Sequence, residues 1–308
     1  MTLPRWFVPY ALGCAVIAAC APLAVYTLSL AMFGAWHVHT ELAWVRERYR
    51  GSLSRLVVPL LGISLLRLAT WAGKAPSWSV AAELGLGLVL VLLVVSRLHD
   101  ARSRLAAALL GAVLAGGIVF APVPTLVGFA LLHNLTPLGF FADRGVRLRT
   151  PLLLFFGLPL LVAAFPVVTT FDPLSTGGLA THLGSYVPAV VTGAAAERLF
   201  AAAVVGQLLH YGAVIGVMGR WRTVRRPVVE LAAAVVAAAL FAYFANSFGD
   251  ARKLYGSVAA VHAWIEFPVL LLALGGLRHH VSQAPRSADA ALAPSETTSA
   301  REGGSTMQ

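Results

Sequence analysis

Charge is scarce in this chain. Only 12% of its 308 residues are Asp, Glu, Lys or Arg, while 58% are hydrophobic; an ordinary soluble domain carries about 25% charged residues. With a mean hydropathy of +0.79, the sequence holds more apolar surface than a water-soluble fold can hide. An ordinary soluble enzyme is therefore excluded, and the composition calls for an all-α, polytopic transmembrane helical bundle. Cysteine is also nearly absent. Cys14 and Cys20 share one apolar stretch, which excludes a disulfide framework and a thiolate metal cluster. A Gly-rich phosphate loop, a soluble domain and an inverted internal repeat are all missing, so nucleotide-driven chemistry is not expected.

The charge that remains is positive, with 23 Lys and Arg against 13 Asp and Glu. Its placement decides what it means. A helix needs roughly 20 apolar residues to cross a bilayer. Candidate segments are 7–45, 56–73, 78–96, 105–121, 125–142, 151–170, 198–219, 228–248 and 255–277, about nine spans. Pro22 kinks or divides the first of these, and the "APVP" run ends the fourth. Arg46, Arg48, Arg50 and Arg55 fall in the first loop, Arg97, Arg102 and Arg104 in the third, Arg144, Arg147 and Arg149 in the fifth, and Arg220, Arg222, Arg225 and Arg226 in the seventh. Every second loop is basic. That is the mark of cytoplasmic loops rather than of nucleic-acid binding, and it predicts a multi-pass protein of the inner (plasma) membrane with its N-terminus outside and C-terminus cytoplasmic. Residues 1–277 form the membrane domain; 278–308, small and polar and containing His279 and His280, read as a disordered cytoplasmic tail. The signal-peptide look of the first 20 residues does not hold, because the apolar run continues past Cys20.

Ionisable groups inside spans are costly, and so they point to function. His133 ("FALLHNLTPLGFFAD") and His210 ("GQLLHYGAVIG") lie near the middle of their spans, with Gln207 on the face of His210. His262 and Glu266 are four residues apart and share a helix face, a spacing repeated by His37 and Glu41. Glu83 lies at similar depth. Imidazoles and carboxylates are the usual ligands of iron, zinc and copper, and inward-pointing His and Glu build the di-iron sites of helical bundles. His133, His210, His262, Glu266, His37, Glu41 and Glu83 are thus candidate metal ligands. Gln207 and Tyr211 are candidate catalytic groups beside them, and Asn134 is a hydrogen-bonding neighbour. Against this stand plainer roles: a membrane histidine often only hydrogen-bonds a neighbouring helix, and Glu83 is placed to pair with Arg67. His39, His99 and His182 are not tied to the site. Asp250 reads as a cap of the last helix, and Trp36, Trp44, Trp71, Trp78 and Trp221 read as interfacial anchors.

Three segments, "LLHNLTPLGF", "GQLLHYGAVIG…RW" and "DARKLYGSVAAVHAWIE", resemble polytopic membrane proteins of actinobacteria, some of which belong to natural-product clusters for azoxy compounds. The resemblance implies a metal-dependent membrane oxidase of secondary metabolism that acts on a nitrogen–nitrogen bond with a partner oxygenase, and it implies His133, His210, His262 and Glu266 as ligands. A more distant likeness is to membrane carotene-cleaving oxygenases. The chain lacks the His pair spaced by three residues that is expected there and in membrane desaturases.

The expected function is a membrane metal-dependent oxidoreductase using one or two irons and dioxygen on a small or lipophilic substrate, with an oxygenase or redox protein as partner, membrane lipid around it and no nucleic acid. Three alternatives use the same residues differently: a proton-coupled transporter with a His/Glu relay, a haem-bearing electron-transfer subunit (copper is the other possible cofactor), and a scaffold whose polar groups only hold helices together.

Overall fold

Alanine–proline steps set the first breaks. A residue before proline is pushed out of the helical region, and Ala21 (φ −143°, ψ 64°) and Ala121 (φ −156°, ψ 63°) show the same departure ahead of Pro22 and Pro122. In the computed structural model, which describes residues 1–282, every regular element is a helix. These are α1 (Phe7–Cys20), α2 (Pro22–Leu53), α3 (Val57–Trp71), α4 (Ser79–Val95), α5 (Ala101–Phe120), α6 (Pro122–His133), α7 (Thr136–Asp143), α8 (Arg149–Ala163), the short α9 (Leu179–Leu183), α10 (Gly193–Trp221), α11 (Pro227–Asn246) and α12 (Phe248–Ser282). By length and composition five helical stretches could cross a membrane, or six if the bent α6–α7 pair counts as one; the first, Pro22–Trp71, includes both α2 and α3. The expected tail lies outside the described residues beyond Ser282.

Two expectations change. Pro22 divides the N-terminal stretch, one of the two readings given for it, into two antiparallel helices, and what changes is the end at which the N-terminus lies. The amino group of Met1 donates to the Gly145 carbonyl (2.8 Å), while the far end of α1 meets the segment that follows α8, where Thr169 N–H donates to the Cys20 carbonyl (2.9 Å). Met1 therefore lies at the same end of the bundle as the basic loop 144–149, not opposite it. The other basic loops join it there. Arg97 donates to Ser52 Oγ (2.9 Å), Thr223 N–H to Glu47 (2.9 Å) and Tyr49 to Asp143 (3.1 Å). We call this the basic end. The second change is at Trp44, which is fully buried against Phe140 and Trp221 rather than placed at a surface.

The long α12 is central, packing on α2, α3, α4, α5, α6, α7 and α11. The outermost helix is α11. Only 6% of its apolar window is buried, and Val228, Leu231, Val235 and Val236 point outward. Water would not tolerate a helix apolar on its exposed faces, whereas acyl chains would.

Candidate metal centre

Pro137 makes the first half of the site. It has no N–H, and its ring would clash with the carbonyl four residues back, that of His133. The helix breaks there and α6 meets α7 at a bend of 42°. Thr136 Oγ1 lies 2.8 Å from the His133 carbonyl and 2.7 Å from Glu266 Oε2, and its single proton serves one of them at a time. His133 Nδ1 lies 2.5 Å from the same Glu266 oxygen. The break thus aims His133 and Thr136 at the middle of α12.

The i, i+4 pairs supply the rest. His37 and Glu41 of α2 face His262 and Glu266 of α12, and His210 of α10 closes the group, just ahead of a widened π turn at Gly212–Val217. Such turns recur at functional sites. The rings of His133 and His210 are 4.4 Å apart between centroids, His133 and His262 4.7 Å, and His37 and His262 4.9 Å. His37 Nδ1 sits 3.4 Å from the Phe33 carbonyl, which fixes Nδ1 as the donor and leaves Nε2 as a lone pair facing His262 Nε2 at 3.2 Å. Two imidazole ligands on one tetrahedral ion, at about 2.0–2.1 Å each, would be roughly 3.3 Å apart.

The ligand atoms form two overlapping sets, each within 4.8 Å: His37, His133, His210 and His262, and Glu41, His210, His262 and Glu266. His210 and His262 belong to both. The donor atoms are also left wanting. Among the described residues both oxygens of Glu41, both ring nitrogens of His210, Nδ1 of His262 and Oε1 of Glu266 are buried without a hydrogen bond. His210 Nε2 lies 3.5 Å from Glu41 Oε2, an ion-pair distance outside hydrogen-bond geometry. These six atoms belong to four side chains, and since each buried group left unsatisfied costs about 1–3 kcal/mol, four in one place are an unusual concentration. The residues present fit one or two metal ions.

Glu83 is not brought into this group. Its Oε1 accepts from Arg67 Nη2 and from Trp264 Nε1, both at 2.7 Å. Gln207 and Tyr211 border the site instead of entering it. Gln207 accepts from the Tyr186 hydroxyl (2.6 Å) and donates to Ser29 (3.2 Å), and Tyr211 stacks on His37 at 4.4 Å. His39 pairs with Glu230 (3.2 Å) near the basic end.

A cavity of about 650 Å³ leads from His37, His133 and His262 past Asn134, Gln207 and Tyr211 to the end opposite the basic loops, where Thr176, Ser185, Arg252 and Lys253 form its mouth. His182, not tied to the site by its sequence position, is buried at that mouth, 2.8 Å from Thr176 Oγ1 and 3.4 Å from Arg252. Burial, and then the Arg252 cation, hold its imidazole below the usual histidine range. Only the fold brings 182 and 252 together, so no local signal marked it.

No known protein family matches the chain, and no curated protein or solved structure matches it.

Proposed function

We propose that this chain is a multi-pass membrane protein whose His/Glu cluster holds one or two transition-metal ions and oxidises a substrate bound in the adjoining cavity. One observation carries this reading: six side chains able to ligate a metal, from four helices, converge in the interior with six of their nitrogen and oxygen atoms lacking a hydrogen bond, next to a cavity open at one end. The apolar, outward-facing α11 supports a bilayer around the bundle. With the basic end in the cytoplasm, as basic loops prefer, Met1 is cytoplasmic, the cavity opens outside, and the split of the N-terminal stretch raises the pass count from nine to ten.

Mixed imidazole and carboxylate donors suit iron, which is our choice of metal, and they bind zinc and copper too. Bound there, a redox-active ion would supply electron exchange with dioxygen and Lewis acidity toward substrate. The chain's own residues hold and orient it. Glu41 and Glu266 neutralise cationic charge, Phe33 fixes the His37 tautomer, and Thr136 and His133 hold one oxygen of Glu266. Tyr211 and Gln207 wall the substrate side. Action on a nitrogen–nitrogen bond, in secondary metabolism and with an oxygenase partner, comes from the resemblance of "LLHNLTPLGF", "GQLLHYGAVIG" and "DARKLYGSVAAVHAWIE". Four imidazoles converging on one point favour bare ions over haem, whose macrocycle separates its two axial ligands.

Elemental analysis of the purified full-length protein tests this. One or two equivalents of a transition metal are expected, lost in His210→Ala and in Glu41→Gln. A wild-type protein free of metal after expression in metal-supplemented medium, coupled with pH-driven solute uptake into vesicles, would favour the transporter instead.

A further inference from the structure

The last helix carries more than ligands. Arg252, Tyr255, Ala259, His262 and Glu266 follow each other at spacings of three and four, and so form one stripe along α12. The first four line the cavity from mouth to floor. Between Arg252 and His262 are ten residue steps at about 1.5 Å each, so the cation and the cluster are roughly 15 Å apart along the axis.

Arg252 differs from the other cations of the cavity. Arg67 is paired with Glu83 (2.7 Å) and Lys253 with Asp250 (3.2 Å). Among the described residues no carboxylate is within ion-pair distance of Arg252. Neutral groups hold it: Ser185 Oγ (2.5 Å), His182 Nδ1 (3.4 Å) and the face of Tyr26 (5.8 Å). A built loop fixes those partners. Asp172 Oδ2 accepts the N–H groups of Thr176 (2.7 Å) and Gly178 (3.1 Å), and Gly177 and Gly178 both have positive φ (94° and 82°), which glycine alone adopts freely. Thr176 in turn bonds His182. Below Arg252 the walls change character to tyrosines (Tyr26, Tyr186, Tyr211, Tyr255), with small Gly256 and Ala259 leaving the space open.

We propose that the cavity takes a small amphiphilic carboxylate from the aqueous phase at its mouth, with Arg252 as the specificity residue that binds the anionic head and the body of the molecule lying along the tyrosines toward the His/Glu cluster. A guanidinium held in place by neutral partners keeps its charge for a ligand. A ring-lined passage of this length takes an apolar or aromatic body but gives a free inorganic anion nothing to fill. This rests on reading the cluster as the reacting end of the cavity.

The test uses the full chain in nanodiscs of phosphatidylcholine, with octanoate as probe and octylammonium, octanol and acetate as controls, read by the shift in unfolding midpoint. Octanoate is expected to stabilise the wild type with the controls inert. Arg252→Gln is expected to weaken octanoate roughly 10- to 100-fold, with partial rescue in Arg252→Lys. Gly256→Phe, which fills the passage six residues before His262 where a side chain meets open space, should abolish the effect. Elemental analysis of the same samples separates the two readings: Arg252→Gln, Arg252→Lys and Gly256→Phe should keep the wild-type metal content, and Arg252-dependent binding to a metal-free protein would sink the metal centre while leaving the anion site standing. Equal octanoate affinity in wild type and Arg252→Gln, equal stabilisation by octanol or octylammonium, or loss of the effect when phosphatidylglycerol enters the nanodisc (which would make the ligand a lipid headgroup) would each overturn it.

Discussion

Thr136 shows how much a single hydroxyl can hold together. It covers the His133 carbonyl that Pro137 leaves without a helical partner, and it touches the Glu266 carboxylate. Partners of metal ligands typically contribute 10- to 100-fold in affinity. Thr136→Val should therefore raise the metal dissociation constant about 10- to 100-fold in chelator competition, with Thr136→Ser restoring most of it. Gly87 makes a different point. A Cβ there would lie 2.1 Å from the Trp264 ring, which is fixed by its bond to Glu83. Gly87→Ala should cost about 1–3 kcal/mol by overpacking, read as a lower unfolding midpoint. The i, i+4 pairs were legible in the sequence because both members sit on one helix. For Glu83 the sequence offered two roles, ligand like Glu266 or partner of Arg67, and did not choose between them. Both residues are carboxylates buried in apolar helices, and the difference comes from Arg67 and Trp264 on one side and His133 and Thr136 on the other, residues that meet only in the fold.

At the scale of the element, proline was the most readable letter. Pro22 and Pro122 announced their breaks. Pro137 stood in the quoted "HNLTP" as plainly, yet 125–142 reads as a continuous span, because a run apolar on both sides of a break looks unbroken to hydropathy. The mouth loop yields a pH prediction. His182 is held below its usual value by burial and by Arg252, with Asp172 the nearest opposing charge. The unfolded chain takes its proton near pH 6.5, whereas the folded loop resists until lower pH. The stability that neutral His182 contributes is complete above about 6.5 and is lost as pH falls through the folded-state value. Limited proteolysis within 166–192 should thus accelerate between pH 7.5 and 5, and His182→Gln should flatten that dependence. A wild-type cleavage rate independent of pH would contradict it.

For the whole molecule, the alternation of arginine-rich loops fixed which loops share an end, and the contacts among Arg97, Ser52, Glu47 and Thr223 agree with it. The position of Met1 was not legible, since hydropathy alone does not tell one long kinked helix from two antiparallel ones. In a Cys20→Ser background, needed because Cys20 is exposed, a membrane-impermeant thiol reagent should label Lys74→Cys and Ser175→Cys on intact cells and spare Ser54→Cys and Thr2→Cys. Labelling of Thr2→Cys together with Ser175→Cys would contradict the antiparallel start.

The six candidate ligands span the chain from His37 to Glu266, and this bears on biosynthesis. During translation the first pair waits while most of the protein is made. His133 and His210 arrive in turn, and only the last helix, the one that packs on seven others, brings His262 and Glu266. A ribosome-bound or truncated chain ending before residue 262 would hold four of the six candidate ligands, with His262 missing from both sets. On the proposed reading, metal loading would be a late event that reports on complete assembly, and a cell short of the metal would accumulate chains that are inserted but unfinished at their centre.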